Sequence, residues 1–149
     1  MKSYFLKIAA LLIVPVSISL AAAPCNNTVL KGRYLLLADG TQGNDPSNAV
    51  AAIRFDGHGH FTGSGMVSSL TKEYVPGGAY SISSLTTKYQ SAGTYLVAKD
   101  CTVRIDEYFS PSSTSMPYTQ TGILANGGTK IFAIPTESNK NLSLIYEKQ

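Results

Sequence analysis

Charge, histidine, cysteine and tryptophan are all scarce in this chain of 149 residues, and each shortage closes off a class of function. Only 14% of the residues are charged, 12 basic against 9 acidic, so the basic footprint of a nucleic-acid binder is missing. Polarity comes from Ser, Thr, Asn and Gly instead, a composition unlike a helical bundle rich in Glu and Lys. No apolar run approaches the ~20 residues of a membrane-spanning helix. There is no Gly-x-Ser-x-Gly, and Gly63-Ser64-Gly65 lacks the strand–elbow–helix setting a hydrolase nucleophile needs. With both histidines in one segment, a Ser-His-Asp triad is not expected, and no catalytic residue is assigned.

The two histidines, His58 and His60, stand two apart beside Asp56, a spacing that aims both imidazoles the same way along a strand. No motif supplies a third or fourth ligand, so a turn tip and a solvent-facing residue are expected rather than a metal site. No cofactor is expected either. Asp106 and Glu107 are adjacent on a strand and point to opposite faces, which does not suit paired carboxylates for glycoside cleavage.

The N-terminus carries the clearest address. Lys2 and Lys7 precede an apolar run over Ile8–Val16, and Ser19-Leu20-Ala21 places small residues where signal peptidase reads them. Residues 1–21 are therefore expected to be a signal peptide cleaved near Ala21, leaving a single domain over 22–149 in the periplasm or outside the cell. Without Lys2 and Lys7 the mature chain is close to neutral. In an oxidising compartment the lone pair Cys25 and Cys101, 76 positions apart and without a Cys-x-x-Cys, reads most simply as one disulfide.

Past the signal, the pattern is almost wholly β. Strands are expected over Thr28–Ala38, Ala49–Phe55, Phe61–Leu70, Lys88–Ala98, Thr102–Phe109, Tyr118–Ala125, Lys130–Pro135 and Asn141–Tyr146. Asp56-Gly57-His58-Gly59 and Asn126-Gly127-Gly128 are strong hairpin signals. Thr41–Asn48 and the Ser/Thr-rich Tyr74–Thr87, broken by Pro76-Gly77-Gly78, are expected to be loops. Eight strands of similar length joined by short links predict an all-β fold, an antiparallel up-and-down barrel, with a β-sandwich as the alternative. Glycines inside strands, as at Gly63 and Gly65, fit barrel corners.

Cys25 followed by Leu30-Lys31-Gly32-Arg33-Tyr34, then Phe55–Gly63 (FDGHGHFTG), then Gly93-Thr94-Tyr95 leading to Asp100-Cys101, form a familiar layout. It resembles a group of small exported bacterial β-barrel proteins of mostly unassigned function, related in shape to lipocalin-like and allene oxide cyclase-like barrels. The resemblance implies an eight-stranded barrel and a Cys25–Cys101 bridge. It transfers no activity and no catalytic residues.

An eight-stranded lumen is either filled by side chains or holds one small ligand. The expected function is non-catalytic binding of a small, partly hydrophobic ligand, with walls from Leu35, Ile53, Phe55, Val103, Ile105 and Leu144. Tyr34, Tyr95 and Tyr118 would fix its orientation, with Arg54 or Glu107. Glu107 shares parity with Val103 and Ile105, so it is either desolvated inside the barrel or left at a wet rim where the strand bends. Two other classes compete. One is a surface-acting inhibitor or envelope partner that uses its long loops over a packed barrel. The other is a barrel cyclase or isomerase, which requires an inward Glu107 with converging tyrosines.

Overall fold

The computed structural model describes residues 24–76, 78–110 and 116–149. The signal expected over 1–21 lies outside the described residues. Eight antiparallel strands run β1 (Lys31–Gln42), β2 (Asp45–Asp56), β3 (His60–Val75), β4 (Ala79–Val97), β5 (Thr102–Ser110), β6 (Tyr118–Ala125), β7 (Lys130–Pro135) and β8 (Lys140–Lys148). Each pairs with the next, and β1 closes on β8 from Tyr34↔Lys148 to Gln42↔Lys140. The result is an up-and-down barrel of lipocalin-like shape, not a sandwich. Closure leaves no sheet edge around the wall, which is the physical advantage of a barrel over an open sheet. No helix among the described residues is long and apolar enough to cross a membrane.

Period-two alternation writes the wall. On β1, Tyr34, Leu36 and Ala38 are buried while Arg33 and Leu37 face out; on β5, Val103, Ile105 and Glu107 are buried between exposed Arg104 and Tyr108. Gly57 and Gly59 turn the β2–β3 hairpin with φ of +85° and +109°, a region costly for any residue with a Cβ. Gly93 serves a different purpose. A Cβ there would lie 2.0 Å from the Asp106 carbonyl oxygen and 2.8 Å from the Phe61 ring, so the glycine lets an aromatic ring lie flat on the strand.

Two expected loops are strands. Thr41–Asn48 is the end of β1 and the start of β2, paired down to Gln42↔Asp45 around a tight turn. Tyr74–Thr87 is likewise the far part of a long β3–β4 hairpin paired from His60↔Thr94 to Val75↔Ala79. Past Ser69 on β3 and before Gln90 on β4, these two strands pair only with each other among the described residues, so a two-stranded ribbon extends from the barrel.

The lumen has two unlike halves. At the end where β1 begins, Phe55 lies at the centre of an aromatic cluster, with ring centroids 5.0 Å from Tyr95, 5.1 Å from Tyr34, 5.6 Å from Phe61 and 6.1 Å from Tyr146. A short 3₁₀ turn, Asn27–Val29, covers that end and carries Leu30 in as a plug with no exposed surface. The Tyr95 hydroxyl donates to the Leu30 carbonyl (3.0 Å), and Asn27 Oδ1 accepts from the Val97 amide (2.8 Å). The Cys25–Cys101 disulfide ties the same turn to the β4–β5 corner. This half is solid.

Candidate functional site

The other half of the lumen is open. A cavity of about 310 Å³ lies at the mouth, with apolar walls from Leu36, Leu142 and Leu144 and an aromatic side made by Tyr89, Phe109 and Tyr118. The rings are contiguous: Tyr89 and Phe109 meet edge to face at 5.2 Å, and Phe109 and Tyr118 lie tilted at 5.8 Å. Lys140 stands at the rim with Nζ 4.1 Å from the centre of the Tyr118 ring, and it also pairs with Glu137 at 2.8 Å.

A polar layer forms where the packed and open halves meet. Tyr146 donates its hydroxyl to Gln120 Oε1 (2.5 Å), and Gln120 Nε2 donates to Glu107 Oε2 (3.0 Å). Gln120 and Glu107 are 0% and 1% exposed, so this chain is shielded from water by the barrel itself. With Gln120 Nε2 turned to Glu107 Oε2, its Oε1 is the acceptor left for the Tyr146 hydroxyl. The other Glu107 oxygen, Oε1, stands outside this chain. It is buried, it belongs to a residue on the cavity wall, and it makes no hydrogen bond of good geometry, although the Ser91 hydroxyl acts on the same carboxyl. The Tyr118 hydroxyl, on the same wall, is buried and without a hydrogen bond as well. Buried polar atoms in folded proteins are nearly always satisfied, so two such atoms from residues on one cavity wall set that wall apart from the rest of the lumen.

Burial pushes the Glu107 carboxyl above its ordinary value, with the nearby Ser91 hydroxyl and the Gln120 amide acting in the opposite direction. The tyrosines respond in kind. Tyr89 is pushed up to about 12, by burial first and by the Glu107 charge second, and Tyr118 is raised further by the same two causes. Tyr146 is raised well above the usual phenol range for those reasons too. All three hydroxyls therefore keep their protons at physiological pH.

The raised Glu107 has a consequence for stability. Its folded value lies above its unfolded value, so its contribution is whole below the ordinary 4.5 and is lost as pH rises through the folded value. Glu107→Gln keeps the shape and removes the titration. Thermal melts between about pH 4 and pH 8 should show the variant gaining on the wild type as pH rises. A gap that stays constant across that range would show that Glu107 is not desolvated.

The structure separates the residues expected in the site. Glu107 and Tyr118 line the cavity together. Tyr34 and Tyr95 are buried at the packed end, and Tyr34 donates its hydroxyl to the Gly128 carbonyl (2.5 Å). Both are structural caps there, away from the cavity. The placement expected for Arg54 is corrected: it alternates with buried Ile53 and Phe55 and so projects outside the wall. Leu35 faces outward for the same reason, beside inward Tyr34 and Leu36. Of the other wall residues expected, Leu144 reaches the cavity, and Ile53, Phe55, Val103 and Ile105 are buried core. His58 and His60 are exposed, and Asp56 Oδ1 is engaged by their backbone amides (2.6 and 3.0 Å). No group of three or more His, Cys, Asp or Glu among the described residues is arranged to hold a metal.

Gln120 and Lys140 were not expected in the site. Gln120 shares parity with Tyr118, Gly122 and Leu124 on β6, so the inward signal is in the sequence, but its two partners lie on other strands. The outer wall holds one more feature. Ile123, Phe132, Ile145, Leu37, Val50 and Met66 are directly paired in succession across six strands and all face solvent. No family model, no curated protein and no solved structure matches this chain.

Proposed function

We propose that this protein is an exported, non-catalytic β-barrel that binds a small, partly hydrophobic ligand in the open half of its lumen. The observation that carries the reading is the buried Glu107 carboxyl, whose Oε1 makes no hydrogen bond of good geometry on the wall of an otherwise apolar and aromatic cavity. Small-molecule sites have this composition: apolar walls plus a few polar groups that fix orientation. The plugged end supplies rigidity and the open end supplies the space. Export agrees with the disulfide, which persists in oxidising compartments.

Ala49 lines the cavity and is small, so Ala49→Trp should fill it with little cost to folding. Titration with a neutral hydrophobic fluorophore is expected to give a saturable signal in the wild type, with at least about tenfold weaker binding in the variant. Undiminished binding in Ala49→Trp would refute the lumen site. The surface-acting reading is supported by the outer apolar row, not by long loops, and it predicts the opposite pair: binding kept in Ala49→Trp and lost in Leu37→Ser. The cyclase or isomerase reading uses the same inward Glu107 and tyrosines, and it requires turnover that disappears in Glu107→Gln.

A further inference from the structure

We propose that the ligand carries an ammonium group, a primary or secondary amine on a compact apolar body, with its N–H groups on Glu107 Oε1 and its charge against Tyr89, Phe109 and Tyr118. The inference rests on the lumen-site reading and adds the chemical class.

Three features of the cavity select this class. The first is the carboxyl group itself. One oxygen is already engaged by Gln120, and the other is buried without a well-aligned hydrogen bond, so it keeps acceptor capacity in a place water barely reaches. A ligand acid would meet a second carboxyl in low dielectric, and like charges there are strongly disfavoured. The second feature is the aromatic side. Three contiguous rings beside a carboxylate form the surroundings that organic cations favour, because ring faces are electronegative. One ring already shows the preference, since the Lys140 ammonium sits 4.1 Å over Tyr118. That lysine is matched by Glu137 at the rim, which limits its repulsion of a second cation deeper in. The third feature is the number of oxygens. Glu107 Oε1 and the Tyr118 hydroxyl, both from residues on the cavity wall, make no hydrogen bond of good geometry, and an ammonium has several N–H groups to offer.

Size narrows the class further. At about 310 Å³ the cavity is near the lower limit of small-molecule sites, which run from about 300 to 1,000 Å³. A single ring with a short aminoalkyl arm is the right scale, and a long-chain lipid is not.

The test is calorimetry on the folded, oxidised protein with three probes that share a body: 2-phenylethylamine, 2-phenylethanol and 3-phenylpropionate. The amine is expected to bind about tenfold or more tighter than the alcohol, and the carboxylate weakest of all. In Glu107→Gln the amine is expected to lose its advantage, weakening by about 30-fold or more while the alcohol changes little. Alcohol or carboxylate binding as tightly as the amine in the wild type would overturn the ammonium class and leave the lumen site standing. Binding of the neutral fluorophore but of none of the three probes would do the same. If neither the fluorophore nor any probe binds, the lumen site falls as well. The wild-type comparison decides the class even if the variant fails to fold.

Discussion

Replacing Cys25 and Cys101 together by Ser is expected to remove roughly 4 kcal/mol of stability and lower the melting temperature by roughly 10–20 °C. The bridge spans 76 positions, and a long closed loop is where constraint of the unfolded chain has its largest effect. The native side adds to it. Without the bridge, the 3₁₀ turn at Asn27–Val29 is held to the barrel by the Asn27 contact to Val97, by the Tyr95 hydroxyl and by the Leu30 plug. Fraying of that turn would open the packed end to water. Urea unfolding of the wild type and the double variant measures the difference. A loss of less than about 1 kcal/mol would mean that the plug holds without its tether.

Phe55→Ala is the second large effect, about 3–5 kcal/mol. Phe55 is fully buried and touches four aromatic rings drawn from β1, β3, β4 and β8, so truncation leaves a cavity that no single neighbour can fill. Its position is set by alternation on β2 and by the glycine turn immediately after it. A cost below about 1.5 kcal/mol would imply that the rings collapse inward and that this end is more plastic than its packing shows. The two predictions share one basis: stability is concentrated at the plugged end. The mouth, by contrast, keeps an unfilled space and a buried carboxyl oxygen without a well-aligned hydrogen bond, both of which reduce stability.

Most of the barrel was legible in the chain because each strand has one buried face. Val103, Ile105 and Glu107 alternate with exposed residues over β5, and the glycine-rich segments at Gly57–Gly59 and Gly127–Gly128 mark real reversals. The β3–β4 ribbon was illegible for a physical reason. Ser81, Ser83 and Ser84 lie where two strands have only each other, so no core imposes a hydrophobic period and the sequence reads as a loop. Pairing specifies that stretch, and alternation does not. The site was half legible. Parity allowed an inward Glu107, but a bend that leaves it at the wet rim was the weightier reading, and the tyrosines were visible as strand residues. The Tyr146–Gln120–Glu107 chain joins β8, β6 and β5, and only the closed barrel brings those strands together. Arg54 misled because a charged residue attracts attention wherever it stands; its neighbours Ile53 and Phe55 already assigned it to the outer face.

Ligand binding in the open half of the lumen is tested most directly by native mass spectrometry of the oxidised protein, taken from an oxidising compartment and incubated with 2-phenylethylamine. One added small-molecule mass per chain is expected, lost on denaturation and absent when Ala49→Trp is treated the same way. A bare protein mass in the wild type, or an adduct retained equally by Ala49→Trp, would contradict a lumen site for an amine.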